Sequence, residues 1–299
     1  MRHIPVMVEE VIACLGCEPH KTYVDATLGC GGHAREILAR TAPDGVLIGI
    51  EWDDEALEEA RKVLSEFGDR VKLFRDNFTA LPEILRSLKI DGVDGVLLDL
   101  GLSSLQLERG ERGFSFQQEG LLDMRMDRRR VWTAADLVNR LSQREIEAIL
   151  FEYGEERWAK RIAKAIVEQR AFQPILSTSE LRRIVHQAIP RRFHSRRIDP
   201  ATRTFQALRI KVNEELENLS RFLQIVWSFL KPGGRICVIS FHSLEDRLVK
   251  ESFRNLSKKD RIGGPLLRLL ARKPLGPSPE EKHRNPRCRS AKLRWAERI

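Results

Sequence analysis

No stretch of the 299-residue chain approaches the run of about 18 apolar residues that a membrane-spanning helix needs, so no membrane partner is expected. The opening residues Met1-Arg2-His3-Ile4-Pro5 have no apolar core of the signal-peptide kind. Cysteine is scarce. Five thiols in a chain of this length do not make a disulfide scaffold. Cys14 and Cys17 form a single C-x-x-C with no second pair at zinc-site spacing, so they read as ordinary thiols and no metal is expected. A Walker A sequence is absent, which argues against a nucleoside triphosphate. So is a Pro-Cys pair, which argues against thiolate attack on a pyrimidine ring carbon. The missing membrane run and signal core, with the sparse cysteines, make the cytoplasm the expected location.

What the chain does have is a hydrophobic content of 42%, enough for a substantial core, and an uneven excess of positive charge. The formal net charge is +9. Arg182–Lys211 carries a net +8 and Arg254–Ile299 a net +10, so the remainder is acidic overall, at −9. Two basic blocks on an acidic body suit a partner with a phosphate backbone; a solvated basic surface is the plainer alternative.

The organising stretch is Tyr23-Val24-Asp25-Ala26-Thr27-Leu28-Gly29-Cys30-Gly31-Gly32-His33. A β-prone run ends in a carboxylate, a glycine turn follows, and a helical pattern begins at Ala34. Glycines let backbone approach a ligand closely, and a helix start offers unpaired N–H groups. The pattern repeats. Gly45–Glu51 reads as a second strand ending in an acid, 22 residues beyond Gly29, where a doubly wound sheet places a ribose-binding carboxylate. Glu51 is the first candidate for that role and Asp53 the second, although Asp53 and Asp54 also suit helix capping. Residues 54–67 and 79–89 read as helices around a strand at Val71–Asn77. Phe78, just after that strand, suits either an adenine or the core. Gly95–Ser104 is a fourth strand, ending at Asp99. Asp25, Glu51 and Asp99 should therefore open onto one edge of a parallel sheet, an arrangement costly without a polar ligand.

The alternation breaks at about residue 107. A loop-like stretch over 105–130 is followed by helices announced by the capping boxes Ser142–Glu145 and Ser177–Glu180. The reading is an all-helical domain, 107–203, inserted into an α/β domain formed by 1–106 and 204–299. One long helix is expected from the stripe Phe205 to Leu230, then a strand at Arg235–His242, a loop-like 257–287 and a strand near Ala291–Ala296. The loop at Gly29 lacks the third glycine of the dinucleotide fingerprint, and the tail builds no second βαβαβ half. Both features favour S-adenosylmethionine over a dinucleotide.

At this point the motifs resemble those of the RsmH (MraW) family, bacterial enzymes that methylate a cytidine N4 of 16S ribosomal RNA near the decoding centre. The resemblance runs through Asp25-x-Thr27-x-Gly29-x-Gly31-Gly32-His33, Asp99-Leu100-Gly101-Leu102-Ser103-Ser104-x-Gln106-Leu107, Glu111–Phe116, Leu122–Asp127, Tyr153–Arg157, Ala201–Ala207 and Ser240–Arg247, essentially the whole chain. It implies a Rossmann-like, S-adenosylmethionine-dependent methyltransferase sheet and ribosomal RNA, within the small subunit, as partner; a homodimer is compatible with it. It implies donor contacts from Gly31, Gly32, His33, Glu51, Phe78, Asp99 and Gln106. Glu51 departs from the family, which commonly has Asp there. Asp99 suits either the N4–H of the base or the donor amine. For the RNA, Arg191, Arg192, Arg196 and Arg197 are phosphate candidates, Phe114 and Phe116 suit base stacking or the core, and His242 suits a donor role or a structural one.

Overall fold

A computed structural model describes residues 5–195, 198–259 and 262–299; the phosphate candidates Arg196 and Arg197 lie outside them. The chain divides into two compact units, Met1–Ser103 with Leu216–Ile299, and Ser104–Glu215.

The first unit is built on a seven-stranded sheet. Its strands are β1 (Thr22–Asp25), β2 (Val46–Ile50), β3 (Val71–Phe74), β4 (Val93–Asp99), β5 (Leu230–Ser240), β6 (Leu267–Leu269) and β7 (Lys292–Arg298), in the order β3-β2-β1-β4-β5-β7-β6. β1 to β5 run parallel, and β7 is antiparallel to both of its neighbours. The strand sequences are near-continuous apolar runs because both faces are covered. Tyr23, Leu47, Leu97, Cys237 and Ile239 pack on one face beneath the helices Val8–Leu15, Gly32–Arg40 and Asp54–Leu64. Their chain neighbours Val24, Ile48, Val96, Leu98 and Val238 pack on the other, beneath Leu81–Leu88, Glu215–Ile225 and Ser243–Leu256. The period-2 alternation of strand side chains thus sorts one apolar run into two cores.

Three elements differ from the expectation. The long helix expected from Phe205 to Leu230 is two helices, Thr202–Asn213 and Glu215–Ile225. Glu214 between them takes a left-handed conformation (φ 52°), and the apolar spacing continues across the break without a sign of it. The helical unit therefore spans Ser104–Glu215 instead of 107–203, and takes in the helix Thr202–Asn213 that the sequence reading gave to the sheet domain. Third, the loop-like 257–287 contains β6 and a short helix, Pro279–Arg284, capped by Ser278. Part of the tail's positive charge is also committed internally: Lys292 and Arg294 pair with Asp246, and Arg268 shares Glu297 with Arg235 of β5.

In the helical unit both predicted capping boxes form, at Ser142 with Glu145 and Ser177 with Glu180, and a third closes between Thr133 and Asp136. The stretch over 105–130 carries little regular structure but is pinned by buried polar side chains. Arg112 donates to the carbonyls of Arg125 and Met126. The Asn213 side chain accepts from the Met126 N–H and donates to the Met124 carbonyl. Phe114 is buried, and Phe116 packs edge-on against Phe205 at 5.0 Å between ring centroids. Phe114 serves the core, whereas half-buried Phe116 also has the Arg182 guanidinium carbon 5.8 Å from its centroid. No helix among the described residues is long and apolar enough to cross a membrane.

Candidate active site

β2, β1 and β4 are neighbours, so the three acids do share one edge of the sheet. They do not sit level. Asp25 is in register with Gly49 and Leu97, which puts Glu51, Thr27 and Asp99 two residues farther out. Asp25 is correspondingly sealed, at 1% exposure, and its carboxylate accepts only a long 3.3 Å bond from Thr27 N–H among the bonds described. Burial raises its pKa to about 6 despite the opposing pull of His33. Asp25 is thus a support behind the edge, and Glu51 and Asp99 form its rim.

Glu51 ties the glycine turn to β2. One carboxylate oxygen accepts from Gly29 N–H at 2.8 Å and the other from Asp53 N–H at 2.9 Å. Desolvation still raises its pKa to about 7, ahead of the lowering effect of the Asp53 N–H bond. With Trp52 N–H as a third backbone donor, the carboxylate retains about one further acceptor site. Asp53, the second ribose candidate, is the N-cap of Asp54–Leu64 and accepts from Glu55 N–H at 3.1 Å, which is the capping role its position also suggested.

Asp99 is the least satisfied group of the edge. Its backbone N–H donates to Thr27 Oγ1 at 2.5 Å, while its side-chain Oδ1 is buried and has no hydrogen-bond partner. The side chain as a whole is 21% exposed. Its Oδ2 lies 3.5 Å from His33 Nδ1. Burial, with the nearby Glu245 charge second, lifts its pKa to about 8. His33 is buried, and its Nε2 lies 2.8 Å from the carbonyl of Val6. A carbonyl only accepts, so Nε2 carries the hydrogen, and in the neutral ring favoured by burial Nδ1 turns its lone pair to Asp99. The geometry suits a proton held between Asp99 and His33.

The two glycines before His33 have no room for a side chain. A Cβ on Gly31 (φ 84°) would meet Leu64 at 3.2 Å, and one on Gly32 would meet Pro5 at 2.7 Å. They let the helix Gly32–Arg40 start close under its neighbours. Gly29 (φ 52°) is the turn glycine with free space before it. The lead-in that crosses this turn is itself held: Met7 N–H donates to Glu281 at 2.7 Å. Thr27, Val6 and Glu281 were not singled out as site residues from the sequence. Only Thr27 left a trace, as part of the Asp25-x-Thr27 motif.

Phe78 follows β3 as expected, but its ring packs edge-on against Phe222 at 5.2 Å and belongs to the core. Gln106 is buried in the helix Ser104–Glu108 of the helical unit. His242 takes the structural option. It is the N-cap of Ser243–Leu256, where its Nδ1 accepts from Glu245 N–H at 3.4 Å, and Glu245 accepts in return from the N–H groups of Phe241 and His242.

A parallel sheet with one reversed strand, a glycine turn after β1 and a carboxylate rim on β2 and β4 defines a Rossmann-like methyltransferase. A solved chain from Clostridium thermocellum, described as an rRNA-methylase candidate, shares the fold at a TM-score of 0.50 and 13% identity, with 99% of this chain and 100% of that one covered. The sequence profile of the MraW methylase family matches residues 1–299, and the chain belongs to that family. Three relatives named ribosomal RNA small subunit methyltransferase H are similar over their length. The one from Pelobacter propionicus is 52% identical (100% of this chain, 99% of that protein), the one from Desulforapulum autotrophicum 51% (99% and 99%), and the one from Syntrophobacter fumaroxidans 48% (100% and 97%).

Proposed function

We propose that this methyltransferase uses S-adenosylmethionine to methylate the exocyclic N4 of a cytidine in 16S ribosomal RNA, near the decoding centre of the small subunit, in the cytoplasm. The observation that carries the reading is the rim itself. A buried, unpartnered Asp99 oxygen faces an edge where Glu51 has acceptor capacity left and the turn at Gly29 leaves space. Such a rim suits a ligand with cationic groups and hydroxyls. It suits the pyrophosphate of a dinucleotide poorly, because carboxylates repel phosphate. The relatives' names supply the RNA, and the basic block Arg182–Lys211 suits its backbone.

When bound, the donor supplies a methyl group already activated on a positively charged sulfur. The chain's part is mostly positioning. Glu51 holds ribose hydroxyls while its own orientation is fixed by Gly29 and Asp53. His33, locked by the Val6 carbonyl, orients Asp99. Asp99 accepts an N–H bond from the donor amine or from cytosine N4. N4 is conjugated with the ring and a poor nucleophile, and an acceptor for its N–H favours the pyramidal, attacking form. On methyl transfer N4 would give up one proton to solvent, while Asp99, positioned by His33, accepts the N–H bond that orients the nitrogen. Gly31 and Gly32 offer bare backbone to the methionine end of the donor, and Phe78 backs the adenine side from the core.

Incubation with labelled donor and undermethylated small subunits tests the reading. Label in the RNA bases supports it; label absent under conditions where a known enzyme of this kind works would overturn it.

A further inference from the structure

The helical unit carries a surface cluster that methyl transfer leaves unused. The helix Thr178–Ala188 ends in Ile189-Pro190, and one 3-10 turn, Arg191–Phe193, follows. The turn is held at both ends: Phe193 N–H donates to the Pro190 carbonyl at 2.9 Å, and His194 Nε2 donates to the Ile189 carbonyl at 3.0 Å. It presents the Phe193 ring to solvent at 40% exposure. Trp158 packs beside that ring, 5.1 Å between centroids and tilted by 48°. The Arg192 guanidinium carbon lies 4.9 Å from the Phe193 centroid, and that of Arg157 lies 5.0 Å from Phe193 and 5.5 Å from Trp158. The nearby Glu156 carboxylate accepts the backbone N–H of Trp158, at 2.8 Å.

An exposed ring flanked by two guanidinium groups and a second aromatic gathers the flat and cationic surfaces that suit a polyanionic partner with planar bases. Nucleobases stack on aromatic faces and on guanidinium planes, and the same arginines neutralise phosphate. The cluster also lies at the basic block Arg182–Lys211. We propose that Phe193, with Arg157 and Arg192, is a stacking platform for an unpaired nucleobase of the RNA substrate, a nucleotide other than the one methylated. The proposal rests on RNA as the substrate class but not on the transfer chemistry.

The test uses the full chain and a single-stranded oligoribonucleotide carrying 2-aminopurine, whose fluorescence is quenched on stacking, beside an abasic strand of equal length and charge. Wild type should quench the probe and bind it more tightly than the abasic strand. Phe193→Ala should weaken probe binding about tenfold and leave abasic binding unchanged. Phe193→Leu keeps apolar packing without the π-face and should lose the quench as well, whereas Phe193→Trp should keep it. Equal losses for both strands, or a Phe193→Leu variant that binds and quenches like wild type, would overturn the platform. Heat of donor binding and label transfer to small subunits are read separately, so a failure of the methyl-transfer reading shows there and not in the quench.

Discussion

At the scale of single residues the account turns on Asp99, a carboxyl held by its neighbours with one buried oxygen left unmatched. Replacing it with Asn keeps the shape and removes the strong acceptor. Asp99→Asn should fold like wild type and lose about a hundredfold or more in turnover, measured beside a thermal melt. Unchanged turnover would contradict its role. Glu51 gives a separate expectation. Glu51→Gln should weaken donor affinity by about tenfold through altered bonds to Gly29 and the ribose, read by calorimetric titration, while Asp53→Asn, a change of cap, should leave affinity near wild type. These residues were legible in the sequence because each is the acid at the end of an apolar run. Their ranking was not, because register decides it: the pairing of Asp25 with Gly49 and Leu97 buries Asp25 and leaves Glu51 and Asp99 level.

At the scale of elements the glycine turn and the lead-in act together. Gly32 lies against Pro5, Val6 fixes His33, and Met7 is tied to Glu281. Gly32→Ala should push the lead-in away and loosen His33, lowering both the melting temperature and donor affinity. A variant with wild-type affinity would show that the lead-in does not support the edge. Local signals were readable wherever they are local: the capping boxes at Ser142 and Ser177 and the strand-ending acids needed no long-range knowledge. The partners of His33 and Asp99 were not, because a backbone carbonyl 27 residues away in sequence leaves no side-chain signature. The helix break at Glu214 was hidden for a related reason, since a residue other than glycine takes the left-handed conformation there.

At the scale of the whole molecule, buried carboxyls make stability depend on pH. Asp25, Glu51 and Asp99 have pKa values raised to about 6, 7 and 8, so between roughly pH 4 and those values the folded state keeps protons that the unfolded chain releases. Stability without donor must therefore fall as pH rises through that window. Melting curves from pH 5 to 8.5 should show the fall, and Asp99→Asn should flatten its upper part; a flat wild-type profile would contradict the raised values. Asp123, Asp199 and Asp246 are held low against burial, by Arg125, by the Ala201 N–H with Arg182, and by Arg294 with Lys292; they act in the opposite sense and lose their contribution only as the solution becomes acid. The charge distribution gives a second whole-molecule expectation: affinity for RNA should drop steeply with added salt. The most direct measurement of the central claim is nucleoside analysis by mass spectrometry of small-subunit RNA treated with S-adenosylmethionine and either wild type or Asp99→Asn. The account predicts N4-methylcytidine from wild type and almost none from the variant. Methylation at a ring carbon or a ribose hydroxyl, or equal product from the two proteins, would contradict it.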